Sequence, residues 1–131
     1  MGLKGSGKTK KLVEMVRQAV DSEAGSVVCI EKDKNLTYDI PYTVRLIHAS
    51  EYNIDTNELL KGFICGLHAG NYDITHVFID NFFKMLSDTS NEAVTELLDW
   101  MEAFSVRESV KFTISATADA ESVSDGIKKY F

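Results

Sequence analysis

The sequence predicts an α/β protein with a mostly parallel sheet and helices on both faces. Runs rich in β-branched and aromatic residues alternate with stretches in which apolar residues recur every third or fourth position. This alternation favours parallel strands joined by helical crossovers. The chain has 131 residues, 44% hydrophobic and 26% charged, as in ordinary globular domains. We therefore expect one domain over residues 1–131.

The first predicted helix covers residues 9–25 and ends near Gly25. Its apolar residues share one stripe: Leu12, Val13, Val16, Ala19 and Val20. The run SVVCIEKD (26–33) is rich in β-branched residues and predicts a buried strand. After the only proline, the run TVRLIHA (43–49) predicts a second, less pronounced strand.

A second helix is predicted to begin at Asp55, which has capping-box spacing to Glu58, and to end at Gly70. Within it, Gly62 and Gly66 stand four residues apart, and we expect them to allow close packing against the sheet. The run THVFIDNFF (75–83) predicts a third strand.

The last third of the chain repeats this pattern. Thr89 and Glu92 have capping-box spacing and predict a third helix over residues 89–104. The run VKFTISAT (110–117) predicts a fourth strand, and residues 118–131 predict a short final helix.

Charge and cysteine usage restrict the classes of partner. The formal net charge is -6 and the isoelectric point near 5.0, which argues against nucleic acid, because nucleic-acid affinity depends on clustered Lys and Arg. Cys29 and Cys65 lie in apolar runs and are predicted to be reduced core residues. No apolar stretch approaches the about 20 residues of a membrane span, and no secretory signal is present, so we expect a cytoplasmic location.

The segment GLKGSGKT (2–9) fits the phosphate-loop pattern G-x-x-x-x-G-K-[ST]. The residues in the diagnostic positions are Gly2, Gly7, Lys8 and Thr9. The amides expected to bind phosphate belong to Gly5, Ser6, Gly7 and the residues that follow, through Lys10. Glycines let successive N–H groups converge on one anion, and the helix that follows adds the positive end of its dipole. In this pattern Lys8 contacts the β- and γ-phosphates, and the Thr9 hydroxyl ligates Mg²⁺.

The segment HVFID (76–80) is an apolar strand that ends in an acid, Asp80. An acid at the carboxyl edge of the sheet can hold Mg²⁺ beside a phosphate loop. An apolar strand ending in Asp is also a common way for a strand to leave the core. Downstream of a phosphate loop, we interpret Asp80 as the second metal ligand.

These two motifs resemble the Walker A and Walker B elements of the P-loop nucleoside triphosphatases, in particular RecA-like and AAA-type domains. The segment FIDN is also similar to the FIDE segment of thymidine kinases, and the whole is similar to small stand-alone bacterial ATP-binding proteins. The resemblance implies a P-loop fold that binds ATP and Mg²⁺. Guanine-selective relatives use an [NT]-K-x-D segment, which this sequence lacks, so ATP is the expected nucleotide.

The chain departs from the family at the residue after the Walker B acid. Family members often have a catalytic glutamate there, and this chain has Asn81, whose amide cannot accept a proton. The resemblance to RecA-like enzymes offers Glu31 as a replacement, and the alternative is a solvated strand end. Ser115 and Thr117 are either sensors of the γ-phosphate or caps of the next turn.

Other side chains receive structural interpretations. Arg45 and Arg107 are the only arginines outside the first helix, and each is either a finger for a neighbouring subunit or a surface residue. The three histidines lack metal-ligand spacing, and we expect solvent or strand-end roles for them: His48, His68 and His76.

In the family a strand precedes the phosphate loop and lies in the middle of the sheet, and residues 1–3 cannot form it. The fold is therefore expected to lack the first strand, and also the fifth. An upstream segment is missing, a neighbouring molecule lends a strand, or the other strands close the gap. We favour a shortened amino terminus, because an empty central position would leave buried backbone groups unpaired.

The sequence thus predicts an ATP-binding P-loop protein whose hydrolysis is slow or depends on a partner. One alternative is a phosphotransferase acting on a small molecule. The other is a catalytically degenerate P-loop module used for assembly, as a homo-oligomer or with a protein partner.

Overall fold

A computed structural model describes residues 8–32, 39–80, 85–88 and 90–115. Within these ranges four strands form one sheet, in the spatial order β2-β1-β3-β4. The strands are β1 (Ser26–Glu31), β2 (Arg45–His48), β3 (Ile74–Ile79) and β4 (Lys111–Ile114). All three neighbouring pairs are parallel, which confirms the predicted parallel α/β architecture.

Three helices that lie wholly within the described residues accompany the sheet. They are α1 (Lys8–Ser22), α2 (Asn57–Gly70) and α3 (Asn91–Glu108), and a short 3₁₀ turn (Ala49–Tyr52) follows β2. Among the described residues, none of these helices is long and apolar enough to cross a membrane.

The helices cover both faces of the sheet because the strand side chains alternate. Cys29 and Phe78 belong to the core under α1, whereas Ile30 and Ile79 belong to the core under α2 and α3. Each of these four side chains is fully buried. The sheet is therefore apolar on both faces, as expected for parallel strands between helices.

The four described strands pair without interruption, and the absence of the family's first and fifth strands stays a prediction. β1 pairs with β2 on one side and β3 on the other, and β3 pairs with β4. Strand–strand hydrogen bonds therefore satisfy the central backbone groups of β1 and β3 on both sides.

Two helix starts differ from the prediction by one residue. The N-cap of α2 is Thr56 and not Asp55; its hydroxyl accepts a hydrogen bond from the Leu59 amide at 3.2 Å. The N-cap of α3 is Ser90, which accepts from the Ala93 amide at 3.3 Å, and Thr89 lies outside the described residues. In both cases the hydroxyl closest to the first turn satisfies a free amide.

The predicted close packing of Gly62 and Gly66 is wrong. Both residues are exposed, and a Cβ atom built on either would meet nothing within 4 Å. Cys65, between them, is also exposed and does not lie in the core. Gly25 has the packing role instead, because a Cβ there would collide with the Asp73 carbonyl oxygen.

Candidate functional site

The four strands end in one row of polar side chains. Glu31 pairs in register with His48, and the pairing of Ile30 with Ile79 brings Glu31 beside Asp80. The pairing of Ile79 with Ile114 brings Asp80 beside Ser115. We call these four residues the carboxyl row: His48, Glu31, Asp80 and Ser115.

The carboxyl row lies on the face of the sheet that α1 covers. Side chains alternate along a strand, so Glu31 lies on the opposite face from Ile30 and on the same face as Cys29. Three members of the row are buried: Glu31 is 1% exposed, Asp80 1% and Ser115 7%. The predicted alternative of a solvated strand end is therefore wrong for Glu31.

The amino end of α1 lies at the same edge of the sheet. Only residues 23–25 separate α1 from β1, so the helix runs antiparallel to the strand. Its 15 residues rise about 22 Å, close to the about 20 Å of the six-residue β1. The positive end of the helix dipole thus lies at the level of the carboxyl row, where it favours negative charge.

Asp80 is held on both its backbone and its side chain. Its amide donates to the Ile30 carbonyl oxygen at 2.8 Å, which continues the ladder beyond β3. The Ser115 hydroxyl donates to Asp80 Oδ1 at 2.6 Å, and the Ser115 amide donates to the Ile79 carbonyl oxygen at 2.9 Å. This hydrogen bond to Oδ1 fixes the orientation of the carboxylate, and with it the position of Oδ2.

Glu31 and His48 form the other half of the carboxyl row. Glu31 Oε2 lies 3.5 Å from His48 Nδ1, and the side chains are 2% and 17% exposed respectively. Beyond them the Ser50 amide donates to the Lys32 carbonyl oxygen at 2.9 Å, which keeps the two chain segments together. The histidine is thus the more exposed member of the pair.

The electrostatic effect of the two carboxylates is visible at Cys29. Burial raises the pKa of its thiol to about 12, and the negative charges of Asp80 and Glu31 add to that increase. The three groups therefore share one buried region under α1. A thiolate is therefore disfavoured there.

The sequence-predicted binding residues are placed as follows. Lys8, Thr9 and Lys10 form the first turn of α1. The remaining loop residues lie outside the described residues: Gly2, Gly5, Ser6 and Gly7. Asn81 and Thr117 also lie outside them, as does the final predicted helix.

Both arginine candidates for a finger are exposed surface residues in the structure. Arg45 lies at the start of β2, on the edge of the sheet. Arg107 lies near the end of α3, with its guanidinium 5.4 Å from the centre of the Phe104 ring. Neither belongs to the carboxyl row.

The donor set fits a magnesium ion that is shared with phosphates. Among the described residues, no group of three His, Cys, Asp or Glu side chains is arranged to hold a metal. Mg²⁺ is commonly bound through one or two carboxylates, with waters and substrate phosphates completing its shell. Asp80 would supply one such buried carboxylate, and the hydroxyl of Thr9 stays a predicted ligand.

Sequence reasoning missed His48 as a member of this site. The signal was present, because His48 and Glu31 each close an apolar strand run, but nothing local showed that the two strands end in register. The chain matches no protein-family model, no curated protein and no solved structure.

Proposed function

We propose that this protein binds MgATP between the first turn of α1 and the carboxyl row, and hydrolyses it slowly or with a partner. The observation that carries the proposal is the buried Asp80, hydrogen-bonded to Ser115 at the sheet edge where α1 begins. A phosphate-loop sequence immediately before and within that first turn supplies the complementary anion-binding groups.

Each residue has a distinct role in this proposal. The loop amides bind the phosphates, and Lys8 neutralises their charge. Thr9 and Asp80 hold Mg²⁺, which when bound withdraws charge from the transferring phosphoryl group. Ser115 orients Asp80 through its hydrogen bond of 2.6 Å.

Hydrolysis needs a group that accepts a proton from the attacking water. Asn81 cannot accept it, and the pairing of β1 with β3 brings the Glu31 carboxylate beside Asp80. Slow turnover is expected, because Asn81 cannot serve and the Glu31 side chain is 2% exposed, which restricts its contact with an attacking water.

We also propose that the protein is located in the cytoplasm. Both cysteines are free thiols in the structure. Free thiols are typical of reducing compartments, and this supports the expected cytoplasmic location.

The test is a calorimetric titration with MgATP of the wild-type protein, Lys8→Ala and Lys11→Ala. Hydrogen bonds to charged groups contribute about 1.5–3 kcal/mol, so Lys8→Ala should weaken binding roughly ten- to a hundredfold. Lys11→Ala is the matched control, because it removes the same charge from the same helix outside the phosphate-loop pattern. Equal affinities of wild type and Lys8→Ala would refute the proposal.

A further inference from the structure

His48 and Glu31 are neighbours with very different access to water. They are the last residues of adjacent strands, and Glu31 Oε2 lies 3.5 Å from His48 Nδ1. The Glu31 side chain is 2% exposed, whereas the His48 side chain is 17% exposed. The imidazole is thus the more accessible member of the pair.

A buried general base needs a route by which it loses the proton it accepts. If Glu31 takes a proton from the attacking water, the carboxylic acid must be deprotonated before the next turnover. An imidazole suits this task, because one ring nitrogen can accept a proton while the other releases one.

We propose that His48 is a positioning residue that acts through Glu31, by accepting its proton and releasing it to solvent. This inference rests on the proposed function, in which the site hydrolyses ATP. The water oxygen forms a bond to the γ-phosphorus, the bond from that phosphorus to the bridging oxygen breaks, and Glu31 accepts a water proton. Glu31 Oε2 then transfers the proton to Nδ1 of His48 while Nε2 releases its own proton to bulk water, and proton exchange with water restores the Nε2–H tautomer for the next turnover.

The other two histidines, His76 and His68, contact different groups. His76 Nε2 lies 2.8 Å from Thr113 Oγ1, and His68 Nε2 lies 3.6 Å from Glu108 Oε2. Neither residue belongs to the carboxyl row. His76 therefore offers a matched control, because it lies on β3, on the same sheet as the proposed relay.

The experiment measures steady-state turnover of MgATP by wild type, His48→Ala, His48→Gln and His76→Ala, with and without added imidazole. General acid–base groups typically contribute about a hundredfold or more, and we expect a loss in kcat of at least about tenfold for both His48 variants, with KM unchanged. Imidazole should restore much of the kcat of His48→Ala, because the space left by the ring admits it. It should not restore His48→Gln or affect His76→Ala.

Three results would overturn the inference. They are unchanged kcat in both His48 variants, no response of His48→Ala to imidazole, or equal stimulation of His76→Ala. If His48→Ala does not fold, His48→Gln decides alone, because unchanged kcat in that variant contradicts the relay.

Parallel MgATP titrations separate this inference from the proposed function. Wild-type protein that binds MgATP without turnover would overturn the relay in the isolated protein and leave nucleotide binding intact. Wild-type protein that does not bind MgATP would overturn both.

Discussion

Each end of the sheet places a carboxylate beside a histidine, yet the two clusters differ in composition. At the amino edge, Glu23 Oε2 lies 2.7 Å from Lys111 Nζ and 3.8 Å from His76 Nδ1, and the Glu23 side chain is 8% exposed. At the carboxyl edge, Glu31 lies 3.5 Å from His48. Both clusters contain a glutamate and a histidine, and the amino-edge cluster also contains Lys111.

Lysine neutralises the amino-edge cluster from within. The hydrogen bond from Lys111 holds the pKa of Glu23 below its ordinary value. The carboxyl row has two carboxylates, one histidine and one serine, with no lysine or arginine among its four members. A structural ion pair between Glu23 and Lys111 is thus formed at the amino edge.

The histidine at the amino edge also has a structural role. His76 stacks on Phe78 with ring centres 4.0 Å apart, and its Nε2 lies 2.8 Å from Thr113 Oγ1. Burial lowers the pKa of His76, so the folded protein favours the neutral ring. Packing therefore controls this histidine, and it is suited to support and not to proton transfer.

The largest expected effect comes from removing charge at the carboxyl row. Asp80→Asn keeps the shape of the side chain and removes a proposed metal ligand. Mutating a residue that only supports a metal ligand typically lowers affinity roughly 10–100-fold, so the affinity for MgATP should fall by at least that much. Asp73→Asn is the control, because Asp73 is exposed at the turn before β3. Titration calorimetry measures both, and equal affinities would remove Asp80 from the site.

The next effect tests whether the amino edge is structural only. Gly25→Ala should lower the free energy of unfolding by about 1–3 kcal/mol, because the new Cβ collides with the Asp73 carbonyl oxygen. Gly66→Ala should instead stabilise by about 0.5–1 kcal/mol, since that helical position is exposed and open. Urea unfolding measures both, and a stable Gly25→Ala protein would contradict the packing.

The pH dependence of stability should also follow the amino edge. The pKa of His76 is lower in the folded protein than the ordinary histidine value of 6.5, so the folded state binds fewer protons than the unfolded state. Stability is therefore lost as the pH falls from 6.5 through the lower folded pKa. Glu23, whose pKa is lowered too, acts in the same direction, with stability lost as pH falls below 4.5 through its lower folded pKa. The slope between about pH 7 and about pH 5.5 should be smaller in His76→Gln, as measured by urea midpoints. An unchanged slope would show that burial does not control His76.

The smallest effect concerns the two thiols. Cys65 is exposed, whereas Cys29 is buried with its pKa raised to about 12. A thiol reagent at neutral pH should therefore modify Cys65 and not Cys29 in the folded protein. Cys65→Ser should leave the folded protein unreactive, and unfolding should release Cys29. Rapid modification of Cys29 in the folded protein would show that the region under the carboxylates is open.

The sequence by itself determined the elements, because their patterns are local. β1 was recognisable from the β-branched run that begins at Ser26, and α3 from apolar residues on one helical stripe. Asp80 was recognisable as a strand-terminal acid after HVFI, and the phosphate-loop pattern is contained in eight consecutive residues. Periodicity and spacing within a few residues were sufficient for all of these.

Only the tertiary structure decided which faces and strand ends meet. The outward orientation of Cys65 depends on the helical phase that buries Leu60 and Ile64, and the apolar run around it does not show that phase. His48 joins Glu31 because β2 pairs with β1 in register, across a separation of 17 residues that no local pattern encodes. Long-range pairing sets the register and the buried face, so the carboxyl row exists only once the sheet has formed.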